Sequence, residues 1–170
     1  GAEHPSIANV LTNLAVLHQS KKRFEQAESL LREALRIERL HYALSHPRVA
    51  MTYNNLAALA AARKRFAEAE SLLQAALDTL KVALPAGHQD LGLVAVNLGE
   101  VYRATRQHGK AAPLYREGLK ILEKAWGPDD SRLAPKLERY SALMRTMEEF
   151  AEAERAQVRL VAIQVRKALR

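Results

Sequence analysis

An all-α fold made of four copies of a two-helix unit is what this sequence predicts, and three observations predict it. Equivalent residues return every 42 positions, the pattern of a repeat architecture. Within each copy the apolar residues fall at helical spacing, as in Ile7, Leu11, Leu14 and Leu17 and then Phe24, Ala27, Leu31, Ala34 and Leu35. Nowhere do apolar residues alternate as a half-buried strand requires, and Ala and Leu together supply about a third of the chain, a bias toward helix.

The register of the repeat does not slip. His4, His46 and His88 share a column that continues as Asp130. Asn13, Asn55 and Asn97 align, as do Leu14, Leu56 and Leu98, and then Leu17, Leu59, Val101 and Leu143. Phe24, Phe66 and Phe150 form a column broken only by His108, and Ala27, Ala69, Ala111 and Ala153 fill another, small residues where backbones must meet. Leu35, Leu77, Leu119 and Val161 close the pattern. The copies span about 4–45, 46–87, 88–129 and 130–170, a single array over residues 1–170.

The elements follow in order. A first helix over 5–20 opens on Pro5, where a missing N–H costs nothing, and the polar run 20–23 ends it. The second, over 24–41, begins at Phe24 and carries Glu25 and Glu28 at the positive end of its dipole. Ser45-His46-Pro47 separates it from a helix over 47–62, whose end is Arg63 to Arg65, and the next runs over 66–83 with Glu68 and Glu70 in its first turns. Pro85-Ala86-Gly87-His88 leads into 89–104, Thr105 to Gln107 into 108–125, and Gly127-Pro128-Asp129-Asp130, with Asp130 as N-cap, into 131–146. Thr146 to Glu149 precedes the last helix, 150–169, with Glu152 and Glu154 at its start. No two-helix unit buries its stripe alone, so each copy covers the next and the array is a solenoid.

Composition narrows the function. Of 170 residues, 26 are Lys or Arg and 19 Asp or Glu, a net charge of +7, but there are only one Trp, five Tyr and three Phe. The chain is basic yet poor in platforms on which bases could stack. It has no cysteine, which excludes disulfide frameworks, thiolate zinc sites and cysteine nucleophiles. No apolar run is long enough to span a membrane and no signal peptide is present, so a cytoplasmic location is expected. Because the chain begins Gly1-Ala2, it reads as a piece of something longer with a tag remnant in front.

Thr12-Asn13-Leu14-Ala15 and Asn54-Asn55-Leu56-Ala57 recur as a pair, as do Phe24-Glu25-Gln26-Ala27-Glu28 and Phe66-Ala67-Glu68-Ala69-Glu70. With Trp126-Gly127-Pro128-Asp129-Asp130, these segments resemble the tetratricopeptide repeat, in the 42-residue form found in kinesin light chains. The resemblance implies a right-handed α-solenoid of four units. It also accounts for Pro113, which aligns with Ser29 and Ser71 in a column where the kinesin-type repeat tolerates Pro. Two departures stand out. The glycine of the turn inside each unit is replaced by Lys22, Lys64, Arg106 and Glu148. Either that turn takes another shape, or a non-Gly residue accepts positive φ at about 1 kcal/mol each. The fourth copy has Arg139 in the Asn column, and Gln157 where its predecessors have Leu31, Leu73 and Tyr115, which suits a polar cap.

In such arrays, the resemblance implies, first helices line a concave groove. The columns expected there are Asn9, Met51 and Leu93; Thr12, Asn54 and Val96; Asn13, Asn55 and Asn97; and Val16, Ala58 and Glu100. A side-chain amide both donates and accepts, so an asparagine ladder suits the main chain of an extended peptide, although Asn can also satisfy a neighbouring helix. The first helices of copies one and two carry one formal charge, Arg48, whereas that of copy four carries Arg132, Lys136, Arg139 and Arg145 against Glu138. A peptide with small or apolar residues and an acidic stretch is the expected ligand, unless these cations are simply a solvated face. The heat-shock tail clamp of the wider family is not matched, since Thr12 and Val16 occupy its first two places.

No catalytic constellation emerges. Three of the six histidines sit in one repeat column, no His-Glu-x-x-His run or phosphate loop exists, and Asp129 and Asp130 lie in a linker. The acidic pairs that open the second helices are structural, and neither a cofactor, a metal nor a small-molecule substrate is expected. RNA is disfavoured because the cations of Lys21 to Arg23 and Arg63 to Arg65 interleave with Glu and lack aromatics, although an acidic partner or a membrane surface could meet them. The expected function is therefore protein–protein interaction. The alternative is self-association as a homo-oligomer, or contact with another domain of a larger protein as a regulatory or sensor arm.

Overall fold

A computed structural model describes residues 4–169. Among them are eight α-helices and no strand. The helices are α1 (Pro5–Ser20), α2 (Phe24–His41), α3 (Pro47–Ala62), α4 (Phe66–Ala83), α5 (Gln89–Ala104), α6 (His108–Trp126), α7 (Ala134–Thr146) and α8 (Phe150–Ala168). They pair into four hairpins, and the chain divides into two compact units, Gly1–Pro85 with α1 to α4 and Ala86–Arg170 with α5 to α8. The helix expected over 131–146 opens instead as a 3-10 turn, Ser131–Leu133, before α7 begins. Pro135, at the start of α7, lacks the N–H that would close an α-turn onto residue 131. Pro113, by contrast, lies within α6 without ending it.

Each hairpin turn is a Schellman motif. In the first, the Arg23 amide donates to the His18 carbonyl at 2.9 Å and the Lys22 amide to that of Gln19 at 2.9 Å. The same pair of bonds recurs from Arg65 to Ala60 and Lys64 to Ala61, from Gln107 to Tyr102 and Arg106 to Arg103, and from Glu149 to Met144 and Glu148 to Arg145. The motif demands a left-handed residue, and Lys22, Lys64, Arg106 and Glu148 have φ of 57°, 60°, 60° and 62°. Of the two turn shapes open to the sequence, the protein takes the one in which a non-Gly residue carries positive φ.

The histidine column caps helices. His4, His46 and His88 accept, through Nδ1, the backbone N–H two residues on, each at 3.2 Å. Asp130 does the same for Arg132 at 2.8 Å. Hydrogen bonds from the Arg132 guanidinium and then from its backbone N–H hold the Asp130 carboxyl down at about 2.

Three stripes divide the surface of each first helix. One, exemplified by Ala8, Thr12 and Ala15 on α1, by Ala50, Asn54 and Ala57 on α3, and by Gly92, Val96 and Gly99 on α5, meets the second helix of the same hairpin. In the third hairpin, a Cβ on Gly118 would lie 2.8 Å from the Gly92 carbonyl oxygen and 2.7 Å from a Val96 methyl, so the glycines permit a close α5–α6 approach. A second stripe meets the preceding hairpin where one precedes it in the unit. On α3 this is Thr52, Leu56 and Leu59, the leucines packing with Ala15, Ala27 and Leu31. On α7 it includes Tyr140, stacked on Tyr115 of α6 at 5.7 Å. The third stripe stays open.

Ion pairs join successive hairpins within each unit. Arg63 and Arg65, in the α3–α4 turn, both donate to Glu28 of α2 at 2.9 Å, and Arg116 of α6 donates to Glu152 of α8. The cationic turn at 63–65 thus serves repeat stacking. Glu152 also accepts from Tyr140, and the Arg116 bond keeps its carboxyl below the usual range.

Candidate functional site

The open stripe comprises Asn9, Asn13 and Val16 on α1, Met51, Asn55 and Ala58 on α3, and Leu93, Asn97 and Glu100 on α5. The three residues on α1 are exposed and the six on α3 and α5 partly so. The helical period explains the division. These positions lie one residue beyond the stripe that meets the second helix and one before the stripe that meets the preceding hairpin, about 100° from each.

Thr12, Asn54 and Val96, grouped with this face from the sequence, belong instead to the stripe turned toward the partner helix. Asn54 and Val96 are buried and Thr12 is half-buried. Val96 seats over Gly118 and closes the α5–α6 contact. That column lies behind the accessible face.

In the first unit, α1 and α3 present Asn13 and Asn55 at equivalent positions on their open stripes. Asn9 is already engaged, its Oδ1 accepting from Arg48 of α3. Arg48 is in turn held by the Tyr42 ring, 5.5 Å from its guanidinium, and lies 3.9 Å from Glu38. Glu38 is buried and accepts from Thr52 Oγ1 at 2.7 Å. Burial pushes its carboxyl above the usual value, against the opposing effects of Thr52 and Arg48. Glu38 stands in the column of Leu80, Leu122 and Gln164, so it is the one ionisable group at that repeat position.

In the second unit the charges of the open stripe are organised around Glu100. Its carboxylate accepts from Arg103 at 2.7 Å and from the Tyr115 hydroxyl, and Arg139 of α7 approaches to 3.9 Å. Burial works against this carboxylate, but the Arg103 and Tyr115 hydrogen bonds outweigh it and hold its pKa below the ordinary value. Burial and then the Glu100 bond raise the Tyr115 phenol. Arg139 is therefore partly neutralised in place.

Arg132, in the turn before α7, and Lys136 and Arg139 on α7 share one face at successive turns. Arg132 lies over the Trp126 ring at 4.0 Å and pairs with Asp130 at 2.8 Å. The Lys136 ammonium lies 5.8 Å from the same ring, and among the described residues no carboxylate pairs with it. Burial, then repulsion from Arg139 and Arg132, lowers its pKa. Trp126 and Tyr115 escaped the sequence reading. Trp126 was visible only as part of a repeat motif, and Tyr115 only as a substitute for leucine in a core column.

Among the described residues no group of three or more His, Cys, Asp or Glu is placed to hold a metal ion. None of the described helices is long and apolar enough to cross a membrane. Asp129, beside Asp130 in the linker after α6, pairs with Arg166.

Models of the tetratricopeptide repeat match residues 48–124 and 7–47 of this sequence. No curated protein matches it. Among solved structures, the chain is similar to BtubC (BKLC) from P. vanneervenii, with a TM-score of 0.81 and 23% identity over 95% of this chain and 64% of that one. It is also similar to nearly identical TPR-like repeats ascribed to a kinesin light chain of Podosopora anserina, with a TM-score of 0.72 and 20% identity over 100% and 80% of the two chains. Aspartyl phosphate phosphatase F from Bacillus subtilis gives a TM-score of 0.76 and 16% identity, over 96% of this chain and 42% of that one. The chain thus spans less than two thirds of BtubC and less than half of the phosphatase. At these identities the likeness is one of fold.

Proposed function

The chain belongs to the tetratricopeptide-repeat family, a protein-interaction scaffold, and from that premise we propose that its first helices bind an extended peptide along their open stripes. One observation carries this reading. On α3 two of the three stripes are committed to packing while the third stays accessible, and the equivalent third-stripe positions on α1 and α5, amides and small apolar side chains among them, are accessible too.

In the first unit, Asn13 and Asn55 offer a donor and an acceptor each to a passing main chain, and Met51 and Ala58 give its side chains an apolar surface. In the second unit, Asn97 is the equivalent amide on the open stripe of α5, with Leu93 one turn before it and Glu100, approached by Arg139, one turn after it. Lys136 lacks a carboxylate partner, so an acidic side chain near α7 would relieve the repulsion among Arg132, Lys136 and Arg139. The ligand that fits is a peptide combining small or apolar residues with an acidic stretch. Its recognition asks for main-chain geometry and charge more than for a fixed sequence.

Selection from a random peptide library displayed on phage tests this reading. Enrichment of peptides with acidic residues beside small apolar ones is expected on the native chain, and loss of that enrichment on a Lys136→Glu, Arg139→Glu variant. Enrichment without any acidic bias, or none at all, contradicts the proposed ligand.

A further inference from the structure

Lys136 puts a charge at a repeat position that its equivalents keep neutral. Val10, Thr52 and Val94 share its column, and Thr52 and Val94 are 2% and 0% exposed. At the α2–α3 contact, the Thr52 hydroxyl meets the carboxylate of Glu38. In the fourth copy the same two columns hold Lys136 and, on α6, the buried Leu122, so the lysine lacks the acid that its equivalent has. A half-buried ammonium in such a place costs stability unless an anion answers it. Among the described residues no carboxylate does, and the nearby guanidiniums of Arg132 and Arg139 repel it.

The surroundings of this charge are held in place. Trp126 donates from Nε1 to Gln89 of α5 at 2.8 Å, and its ring lies 4.0 Å from the Arg132 guanidinium and 5.8 Å from the Lys136 ammonium. Arg132 pairs with Asp130, and Arg139 lies 3.9 Å from Glu100, which Arg103 also holds. Four cations therefore meet two carboxylates, and two positive charges are left over. A carboxylate side chain answers one of them. A phosphate monoester carries a charge of about −1.5 to −2 at neutral pH and offers three acceptor oxygens, which suits an ammonium with a guanidinium one turn to either side.

We infer that Arg132, Lys136 and Arg139 form a subsite for a phosphorylated side chain. The inference rests on the peptide reading above and narrows it, since the acidic group presented to α7 becomes a phosphate ester. The two guanidiniums supply planar paired donors and Lys136 a point charge, while the Trp126 ring keeps Arg132 oriented before the ligand arrives. The subsite explains why a lysine stands in a neutral column: its cost to the fold is offset when the ester binds.

Three matched libraries of synthetic peptides, carrying phosphoserine, glutamate or serine at one fixed position among random small and apolar residues, test this against the native chain and a Lys136→Met variant. The phosphoserine peptides are expected to bind at least tenfold more tightly than the glutamate peptides, and Lys136→Met to abolish that preference. Because methionine keeps the apolar stem and removes the unanswered charge, the variant is expected to melt no lower than the native chain. Equal binding of the phosphoserine and glutamate forms overturns the inference and leaves the peptide reading standing. A lower melting temperature in Lys136→Met also overturns it, since the fold itself would then be using the ammonium. Inorganic phosphate binding as tightly as the phosphopeptides would make the free ion the ligand and overturn it too. If no library binds, the peptide reading fails, and O-phosphoserine titrated alone against the fluorescence of Trp126 decides the subsite: a saturable change in the native chain that is missing in Lys136→Met sustains it, and no change overturns it.

Discussion

Replacing Lys64 by glycine should stabilise this protein, although it deletes a side chain and adds backbone freedom. Lys64 sits at φ 60° at the left-handed position of the α3–α4 turn. An L-residue pays about 1–2 kcal/mol for that conformation, and glycine pays almost nothing. Against this, glycine enlarges the unfolded ensemble and costs about 0.4–1 kcal/mol. The net gain is about 0.5–1 kcal/mol per turn. The bonds that define the turn, from Arg65 to Ala60 at 2.8 Å and Lys64 to Ala61 at 2.9 Å, come from the backbone and survive the change. Among the described residues Lys64 makes no ion pair, so no attraction is lost. Lys22, Arg106 and Glu148 occupy equivalent turns one repeat apart, so the four gains should add, to about 2–4 kcal/mol in the quadruple variant. Urea unfolding followed by far-UV circular dichroism measures this directly, with Lys64→Val, whose branched Cβ resists positive φ, as the opposing control. A midpoint that falls in Lys64→Gly, or that rises in Lys64→Val, would refute the strain argument.

Three further outcomes follow from particular residues. Glu38 has its carboxyl raised by burial, so it favours folding in its protonated form; its contribution is present at acid pH and fades as pH rises through its folded pKa. Glu38→Gln should flatten that loss in stability measured by denaturant titration across pH, and an unchanged pH profile would contradict the burial effect. His46 caps α3 through Nδ1, so His46→Ala should cost about 1 kcal/mol by melting, whereas His46→Asp, the residue type of the fourth copy, should retain the cap. Because the Lys136 ammonium and the Arg132 guanidinium lie near the Trp126 ring, an acidic peptide bound there should change the fluorescence of this sole tryptophan, and the change should weaken with salt; a signal indifferent to ionic strength would place the peptide elsewhere.

The fold was legible because a repeat states each packing rule several times. Every helix boundary lay within a few residues of its expected position, since Pro5, Pro47 and the polar runs at 20–23 and 63–65 mark them chemically. The exception at 131–133 turned on Pro135, whose missing donor acts one turn earlier than the proline itself. The candidate face was legible in part. The column periodicity identified the first helices, but Thr12, Asn54 and Val96 lie only 100° from the open stripe, and which side of that angle meets α6 depends on how closely Gly92 and Gly118 allow the helices to approach. Glu100 likewise read as a single groove acid. Its bonds to Arg103 and Tyr115 join positions three and fifteen residues away, and the repeat columns gave no sign of that pairing.

The direct measurement is a calorimetric titration of an acidic-apolar peptide, obtained by library selection, into the native chain and into an Asn55→Ala, Asn97→Ala variant. Loss of about 1–3 kcal/mol of binding free energy is expected, with melting little changed. Equal affinity in the two proteins would show that the amide column does not hold the ligand, and would contradict the central claim that the open stripe of the first helices is where this protein engages its partner.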